Sequence, residues 1–442
     1  MRHPLSNICF TLLLLLCAPV SPVQADTPAA APERVIVLKA AHLFDSVSGK
    51  LVEHGVVVVT GGKITAVGDK AEIPAGARVI DLGDATLLPG FIDSHVHLDD
   101  EFTDNYYLGA FNSLKRPVAE RALYAAKYAK ETLLAGFTSV RDVGSVDYIA
   151  VSLRNAINAG AIEGPRMLVS NYAIGATGGH ADGNPFPPDL IPPYGPVQGV
   201  CNGADECRAA VRYQLKYGAD VIKFMPSGGV LSLTDSVDLP ELTQAEMDAI
   251  VSEAHLWGRK VAAHCHGDVA AQMAIQAGVN SIEHGTFLTD DTLKLMKKKG
   301  VYLVPTLYAG FWVGAHADSY PPAVREKALK ASAQMQIMFQ HAVKIGVPIA
   351  FGTDSAVEPH GQDAQEFALM TKNGMAPADA LMAATAKAAD LLGIADVTGT
   401  LVAGKAADII ALPGDPLADI HATEHPKFVM RDGIIYLNGS GQ

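Results

Sequence analysis

Two histidines one residue apart close an apolar run in this chain, Pro89-Gly90-Phe91-Ile92-Asp93-Ser94-His95-Val96-His97. Side chains alternate between faces along a strand, so His95 and His97 point the same way. Two imidazoles converging at a strand end are half of a metal site. Other apolar runs supply partners: Lys223 in Val221–Met225, His264 and His266 at the end of Lys260–Cys265, His284 closing Ser281–His284, and Asp354 after Ile349–Thr353. Each alone reads equally well as a hydrogen-bonded core residue. Together, at matching ends of five runs, they read as one metal centre.

Four imidazoles, a lysine and a carboxylate suit zinc or a similar divalent ion. A charged lysine repels metal, so Lys223 needs another chemical form. Reaction with carbon dioxide gives a carbamate, an anion whose two oxygens can bridge two metals. His95, His97 and Asp354 are then expected on one ion, and His264 and His284 on the other. A hydroxide bridging both ions, with its pKa lowered to about 7, is the expected nucleophile. Asp354 is expected to accept its proton and pass it to a leaving nitrogen. The net positive site favours substrates with a carboxylate near the scissile bond.

The elements that must position these groups alternate along the chain. Strand-like runs are expected at Leu88–Leu98, Thr138–Val143, Met167–Ala173, Val221–Met225, Lys260–Cys265, Ser281–His284, Tyr302–Leu307 and Ile349–Thr353. Helical patterns between them include Val118–Leu134, Gln244–Trp257, Val269–Gln276 and Ala323–Ile345. Such α/β alternation predicts a parallel sheet, and eight strands close a (β/α)8 TIM-like barrel over 89–394 with its site at the carboxyl ends. The alternative, an open doubly wound sheet, lacks a Gly-x-Gly-x-x-Gly turn after the first strand. Segments 26–88 and 395–442 share a different texture, short β-runs broken by turns such as Gly61-Gly62 and Asp432-Gly433. They predict one small β-sandwich domain built from both chain ends.

The 442 residues are 49% hydrophobic and carry a net charge of −13, which argues against wrapping nucleic acid. Residues 1–25 read as a signal peptide. Ile8–Ala18 is an apolar stretch too short to span a bilayer, and Val23-Gln24-Ala25 is a small-x-small cleavage site. Cleavage after Ala25, export to the periplasm or medium and no membrane contact thereafter are expected. Cys201 and Cys207 form either a local disulfide or two free thiols, and Cys265 packs away from its neighbouring histidines.

The chain resembles the amidohydrolase superfamily over essentially its whole mature length. The marks are Pro89–His97, Ile222-Lys223, Ala263-His264-Cys265-His266-Gly267, Ser281–Gly285, Gly352-Thr353-Asp354-Ser355 and the segment from Gly399-Thr400-Leu401 to Gly404-Lys405-Ala406-Ala407-Asp408-Ile409. Within it, the chain is similar to the imidazolonepropionase-like branch that includes Xaa-Pro dipeptidases, and to bacterial ochratoxin A-hydrolysing amidohydrolases. The resemblance implies two zinc ions bridged by carboxylated Lys223, and a homo-oligomer. It implies hydrolysis of a small-molecule amide, in a dipeptide, an N-acyl amino acid or an ochratoxin-like compound. A lactone or cyclic-amide hydrolase is the alternative. A binding protein on the same scaffold is a third reading, disfavoured because all six ligand positions are filled.

Three further residues are candidates for substrate contact. His180 lies in the Gly/Pro-rich stretch 171–203, His266 shares the direction of His264, and Arg141 ends the second barrel strand. Arg141 has a second reading as one half of a local ion pair with Asp142. The aromatics Tyr308, Phe311, Trp312 and Tyr320, with His316, line either an apolar pocket or an oligomer contact.

Overall fold

A computed structural model describes residues 34–68, 71–101, 103, 105–184 and 186–439, so the signal peptide reading falls outside the described residues. Both chain ends contribute to one mixed eight-stranded sheet. Its order runs Ile434–Asn438, Phe428–Arg431, Ile409–Pro413, Ala85–Pro89, Val35–Asp45, Lys50–Thr60 and Lys63–Val67, with Arg78–Asp81 also on Val35–Asp45. The side chains of Leu38, Val57, Val59, Leu87, Ile409 and Phe428 make its core.

The middle of the chain alternates strand and helix as its apolar runs predict. The parallel strands are β1 (Phe91–Val96), β2 (Phe137–Asp142), β3 (Arg166–Val169), β4 (Val221–Phe224), β5 (Lys260–Cys265), β6 (Ser281–His284) and β7 (Tyr302–Val304). Hydrogen bonds form two ladders, β1-β2-β3 and β7-β6-β5-β4. A parallel bridge, Ile174 to Phe224, links the segment after β3 to β4. The helix Val118–Leu134 has the bounds its periodicity predicts. The helix Gln244–Leu256 starts at a capping box in which Thr243 and Glu246 satisfy each other's backbone.

Four expected strands differ: Met167–Ala173 stops at Val169, Tyr302–Leu307 stops at Val304 with Leu307 opening a helix, and two others depart further. The run Leu88–Leu98 is split at Gly90, with Ala85–Pro89 in the mixed sheet and β1 in the parallel one. Glycine is required there, since a Cβ at position 90 would lie 2.1 Å from Thr138 Oγ1. The run Ile349–Thr353 makes no ladder. It touches β7 through a single bridge, Leu303 to Ile349, and Ser355 bridges Val96 of β1. Its other polar groups are taken up individually: Phe351 O accepts from Ser94 N, and Asp93 Oδ1 accepts from Thr353 N. The Asp93 carboxylate stands in for a backbone carbonyl and interrupts the regular pairing.

Phe91 and Phe137, which begin β1 and β2, cluster with Phe351 and Phe367 at ring separations of 4.4 to 5.5 Å. This aromatic plug closes one end of the parallel strands and leaves the carboxyl ends for polar groups. Among the described residues, no helix is long and apolar enough to cross a membrane.

Cys201 and Cys207 are disulfide-bonded, with Cα atoms 5.0 Å apart, and Cys265 is a buried free thiol. Replacing both bridged cysteines by serine is expected to cost about 2–3 kcal/mol, read as a lower denaturation midpoint.

Glu366 is fully buried, and its two oxygens accept from Leu307 N (2.9 Å) and Tyr308 N (2.6 Å) at the start of the helix Leu307–Ala315. Burial pushes its carboxyl up to about 8, against the pull of those two bonds. The folded chain therefore holds a proton that an unfolded glutamic acid releases near its ordinary pKa. The stability linked to Glu366 is present at low pH and lost as pH rises through about 8. Glu366→Gln leaves one N–H without an acceptor. It should destabilise by about 1–3 kcal/mol at pH 5 and by less at pH 8, measured by urea denaturation at both pH values.

Candidate active site

The carboxyl ends of the parallel strands open into a cavity of about 480 Å³, lined by His95, His97, His180, Lys223, His264, His266, His284 and Asp354. All six expected metal ligands therefore face one space. Asp354 Oδ1 lies 3.2 Å from both His95 Nε2 and His97 Nε2. Lys223 Nζ lies 3.3 Å from His95 Nε2, and His284 Nε2 lies 2.9 Å from His264 Nδ1. The nitrogen and oxygen atoms of His95, His284 and Asp354, and of His264, His266 and His284, form two groups, each compact enough to hold an ion. The second includes His266, which the sequence reading places on the substrate instead.

The far nitrogen of each imidazole is already engaged. His95 Nδ1 donates to Glu283 Oε2 (2.9 Å), His97 Nδ1 to Gly144 O (2.8 Å), and His264 Nε2 to Gly228 O (3.4 Å). His284 Nδ1 and His266 Nδ1 hydrogen-bond with Thr306 Oγ1 (2.8 Å) and Thr286 Oγ1 (2.7 Å). Where the partner is a carbonyl or carboxylate, the bonded nitrogen carries the proton. His95 and His97 then aim lone pairs at the Asp354 carboxylate, and His264 aims one at His284. Lone pairs converging on lone pairs fit a cation between them, and anchored imidazoles are the usual outer support of metal ligands. The donor set thus fits divalent metal.

Backbone geometry aims the remaining ligands. His284 (φ 68°), Thr306 (φ 50°) and Asp354 (φ 70°) all adopt left-handed conformations where their runs end. Non-glycine residues there are strained, and such strain clusters at functional sites. The turn at His284 explains how it and the preceding Glu283 both serve the site, although strict alternation places them on opposite faces.

Electrostatics follow from burial and from Asp354. Burial, with the neighbouring imidazoles, holds His264 and His284 well below the usual histidine range. Burial likewise takes His266 down to about 3. Without a cation beside it, His97 is raised to about 9, because a proton on Nε2 shared with Asp354 outweighs burial; a bound cation would take the place of that proton. Burial alone would raise Asp354, but His95, His97 and His284 hold it well below the usual carboxylate range. Lys223 is 1% exposed and burial brings its ammonium down to about 8, partly opposed by Glu283 and Asp354.

The three candidate substrate contacts separate. His180 and His266 line the cavity, with the His180 ring centroid 4.5 Å from that of His264. Arg141 does not. It is 2% exposed, and its guanidinium donates to Ser94 O, Ser281 Oγ and Glu283 Oε1, the last at 2.8 Å. It is a buried strut, and its ionic partner is Glu283 rather than the adjacent Asp142. Of the expected aromatics, Tyr320 lines the cavity, while Tyr308 is buried and donates to Gln362 Oε1. Tyr106, Val230, Leu231, Val313 and Met335 form the rest of an apolar wall. Sequence reading missed these residues and the anchors Glu283, Gly144 and Thr306. Glu283, beside His284 in the run Ser281–Gly285, carried a signal; a backbone carbonyl carries none.

Strand-end histidines and a carboxylate that could hold metal, on a parallel α/β scaffold, suit a hydrolase, and residues 86–436 match the amidohydrolase family. The chain belongs to that family. It is 34% identical to the ochratoxinase of Aspergillus niger over 408 residues, 86% of this chain and 82% of the relative. The crystal structure of A. niger ochratoxinase covers 93% of this chain and 98% of its own, at a TM-score of 0.81 and 30% identity. A Xaa-Pro dipeptidase with bound methionine in its active site superposes at a TM-score of 0.86 with 39% identity, covering 91% of this chain and all of its own. The imidazolonepropionase of Pseudomonas putida (strain GB-1) is 25% identical over 422 residues, 86% of this chain and 94% of its own. The chain is accordingly a hydrolase of amide bonds.

Proposed function

We propose that this amidohydrolase uses two divalent metal ions, zinc by preference of the donor set, to cleave an amide in a dipeptide or N-acyl amino acid, ochratoxin A included. The observation that supports it is the set of imidazoles whose outer nitrogens are tied to Glu283, Gly144, Gly228 and Thr306, leaving the inner ones to converge beside Asp354. His95, His97 and Asp354 are assigned to one ion, and His264 and His284, with His266 in reach, to the other. Lys223, 3.3 Å from His95 Nε2, would take up carbon dioxide with loss of a proton, and the resulting carbamate would add an anionic oxygen ligand to the set. When bound, such ions supply Lewis acidity toward the scissile carbonyl and lower the pKa of water. Asp354, held ionised, accepts a proton from the attacking water and delivers it to the leaving nitrogen as the C–N bond breaks.

The apolar wall of Val230, Leu231, Val313, Tyr320 and Met335 fits a large apolar or aromatic side chain. Among the described residues lining the cavity, Lys223 is the sole lysine or arginine. A substrate carboxylate is therefore read by His180, His266 and the charge of the metal centre, not by Arg141.

The scaffold reading attached to this function is a (β/α)8 barrel over 89–394, with the flanking segments as a small β-sandwich. The hydrogen bonds from β7 through 348–355 back to β1 support closure. Export belongs to the proposal too, supported by the Ile8–Ala18 run and by the disulfide, as does a homo-oligomer.

Metal analysis coupled to turnover of N-acyl amino acids, dipeptides and lactones tests the function. Two equivalents of metal with amide turnover support it, whereas lactone turnover alone contradicts it. Glu283→Gln keeps the shape but leaves one oxygen where two served His95 on one side and Arg141 with Ser281 on the other, and should weaken metal binding about 10–100-fold in a chelator titration.

A further inference from the structure

Lys327 sits on the helix Pro322–Ile345, outside the cavity lining, and its side chain is 16% exposed. Its ammonium nevertheless meets four acceptors of the loop after β4: Gly229 O (2.7 Å), Ser232 O (2.6 Å), Asp235 O (3.3 Å) and Asp235 Oδ1 (3.2 Å). Three N–H donors facing four converging oxygens make a saturated clamp. The loop folds back on the same point, where Gly229 N donates to Asp235 Oδ2.

That loop in turn builds the seat of His180, which arrives from the segment after β3. The imidazole lies flat on Gly229, where any Cβ would stand 2.0 Å from its Cε1. Ser232 Oγ hydrogen-bonds with His180 Nδ1, and Asp235 Oδ2 lies 3.7 Å from the same nitrogen. A second carboxylate, Glu241, accepts from His180 N at 2.9 Å. Three of the residues that hold or seat His180, Gly229, Ser232 and Asp235, are thus the residues gripped by Lys327. Val230 and Leu231, between the grip points, line the apolar side of the cavity.

We propose that Lys327 is a positioning residue: its ammonium locks the 229–235 loop against His180 and so fixes both that imidazole and the adjoining apolar wall toward the substrate. It acts through the loop and His180 and touches no metal ligand among the contacts above. The proposal rests on the cavity being the substrate site of an amide hydrolase. Lys327→Met removes all four interactions while keeping the helix, and Lys327→Arg keeps the charge in a planar fork that cannot face all four oxygens.

The test is a double-mutant cycle on the metal-loaded enzyme with an N-acyl phenylalanine, combining Lys327→Met and His180→Ala. Lys327→Met should lower kcat/KM about tenfold in the parent background and less than about twofold once His180 is gone, with metal content unchanged. Lys327→Arg should fall between parent and Lys327→Met. Equal losses in both backgrounds, or loss of metal from Lys327→Met, overturn the proposal. Hydrogen exchange provides an arm independent of turnover. Backbone amides near positions 180 and 229–232 should exchange about tenfold faster in Lys327→Met, with β6 unchanged. Unaltered exchange at 180, or uniform acceleration, overturns it too. A parent enzyme that turns over no amide overturns the proposed function instead, and the exchange arm still decides the clamp.

Discussion

Asp354→Asn lowers kcat by about 10² to 10⁴ while leaving the fold intact, because it keeps the shape of the side chain and removes its capacity to take a proton. In the structure, Asp354 Oδ1 stands 3.2 Å from two imidazole nitrogens, and those histidines keep the carboxylate ionised. An amide is neutral and a weak acceptor, so its place there contributes neither charge nor base. Steady-state kinetics across several pH values separate the two roles. If Asp354 is the base, the variant is slow at every pH and does not recover when more metal is supplied. Parent-like kcat in a metal-replete Asp354→Asn enzyme removes the assignment.

Lys223→Ala is expected to be more damaging still. The lysine is buried, its Nζ 3.3 Å from His95 Nε2, and it lines the same cavity as His264 and His284. Without it no carbamate forms, and the remaining imidazoles must hold two like charges close together. Metal content should fall below two equivalents, and kcat/KM by about 10³ or more, since the ions supply several kcal/mol of transition-state stabilisation. The truncation leaves room for a small carboxylate. Acetate or propionate should therefore restore part of both metal content and activity, and chloride at the same ionic strength should not. Full metal loading of the variant without added acid contradicts a bridging role for Lys223.

Much of this arrangement was legible in the residues themselves. The i, i+2 spacing of His95 and His97 survives as two side chains lining one cavity, although β1 itself ends at Val96 between them. Lys223, His264 and His284 converge because parallel strands bring equivalent ends together, which alternation alone predicts, and Asp354 joins them from an irregular run that Ser355 bridges to Val96 of β1. What escaped has identifiable causes. The break at Gly90 is a contact with Thr138, a neighbour that only the folded chain supplies. The 349–353 run looks like a strand but spends its polar groups on Asp93 and on single bridges. Arg141 was placed near the substrate because it ends β2, yet Glu283, 142 positions away, claims it. Lys327 is separated by 98 positions from Gly229, and three of its four acceptors are backbone oxygens, which leave no mark in side-chain chemistry.

The most direct measurement is anomalous diffraction at the zinc edge from crystals of zinc-loaded enzyme grown with bicarbonate. Two peaks about 3.5–4 Å apart are predicted, one beside His95, His97 and Asp354 and the other beside His264 and His284, with density extending Lys223 between them. No peak at that rim, or a single ion with an unmodified lysine, would contradict the paired-metal account.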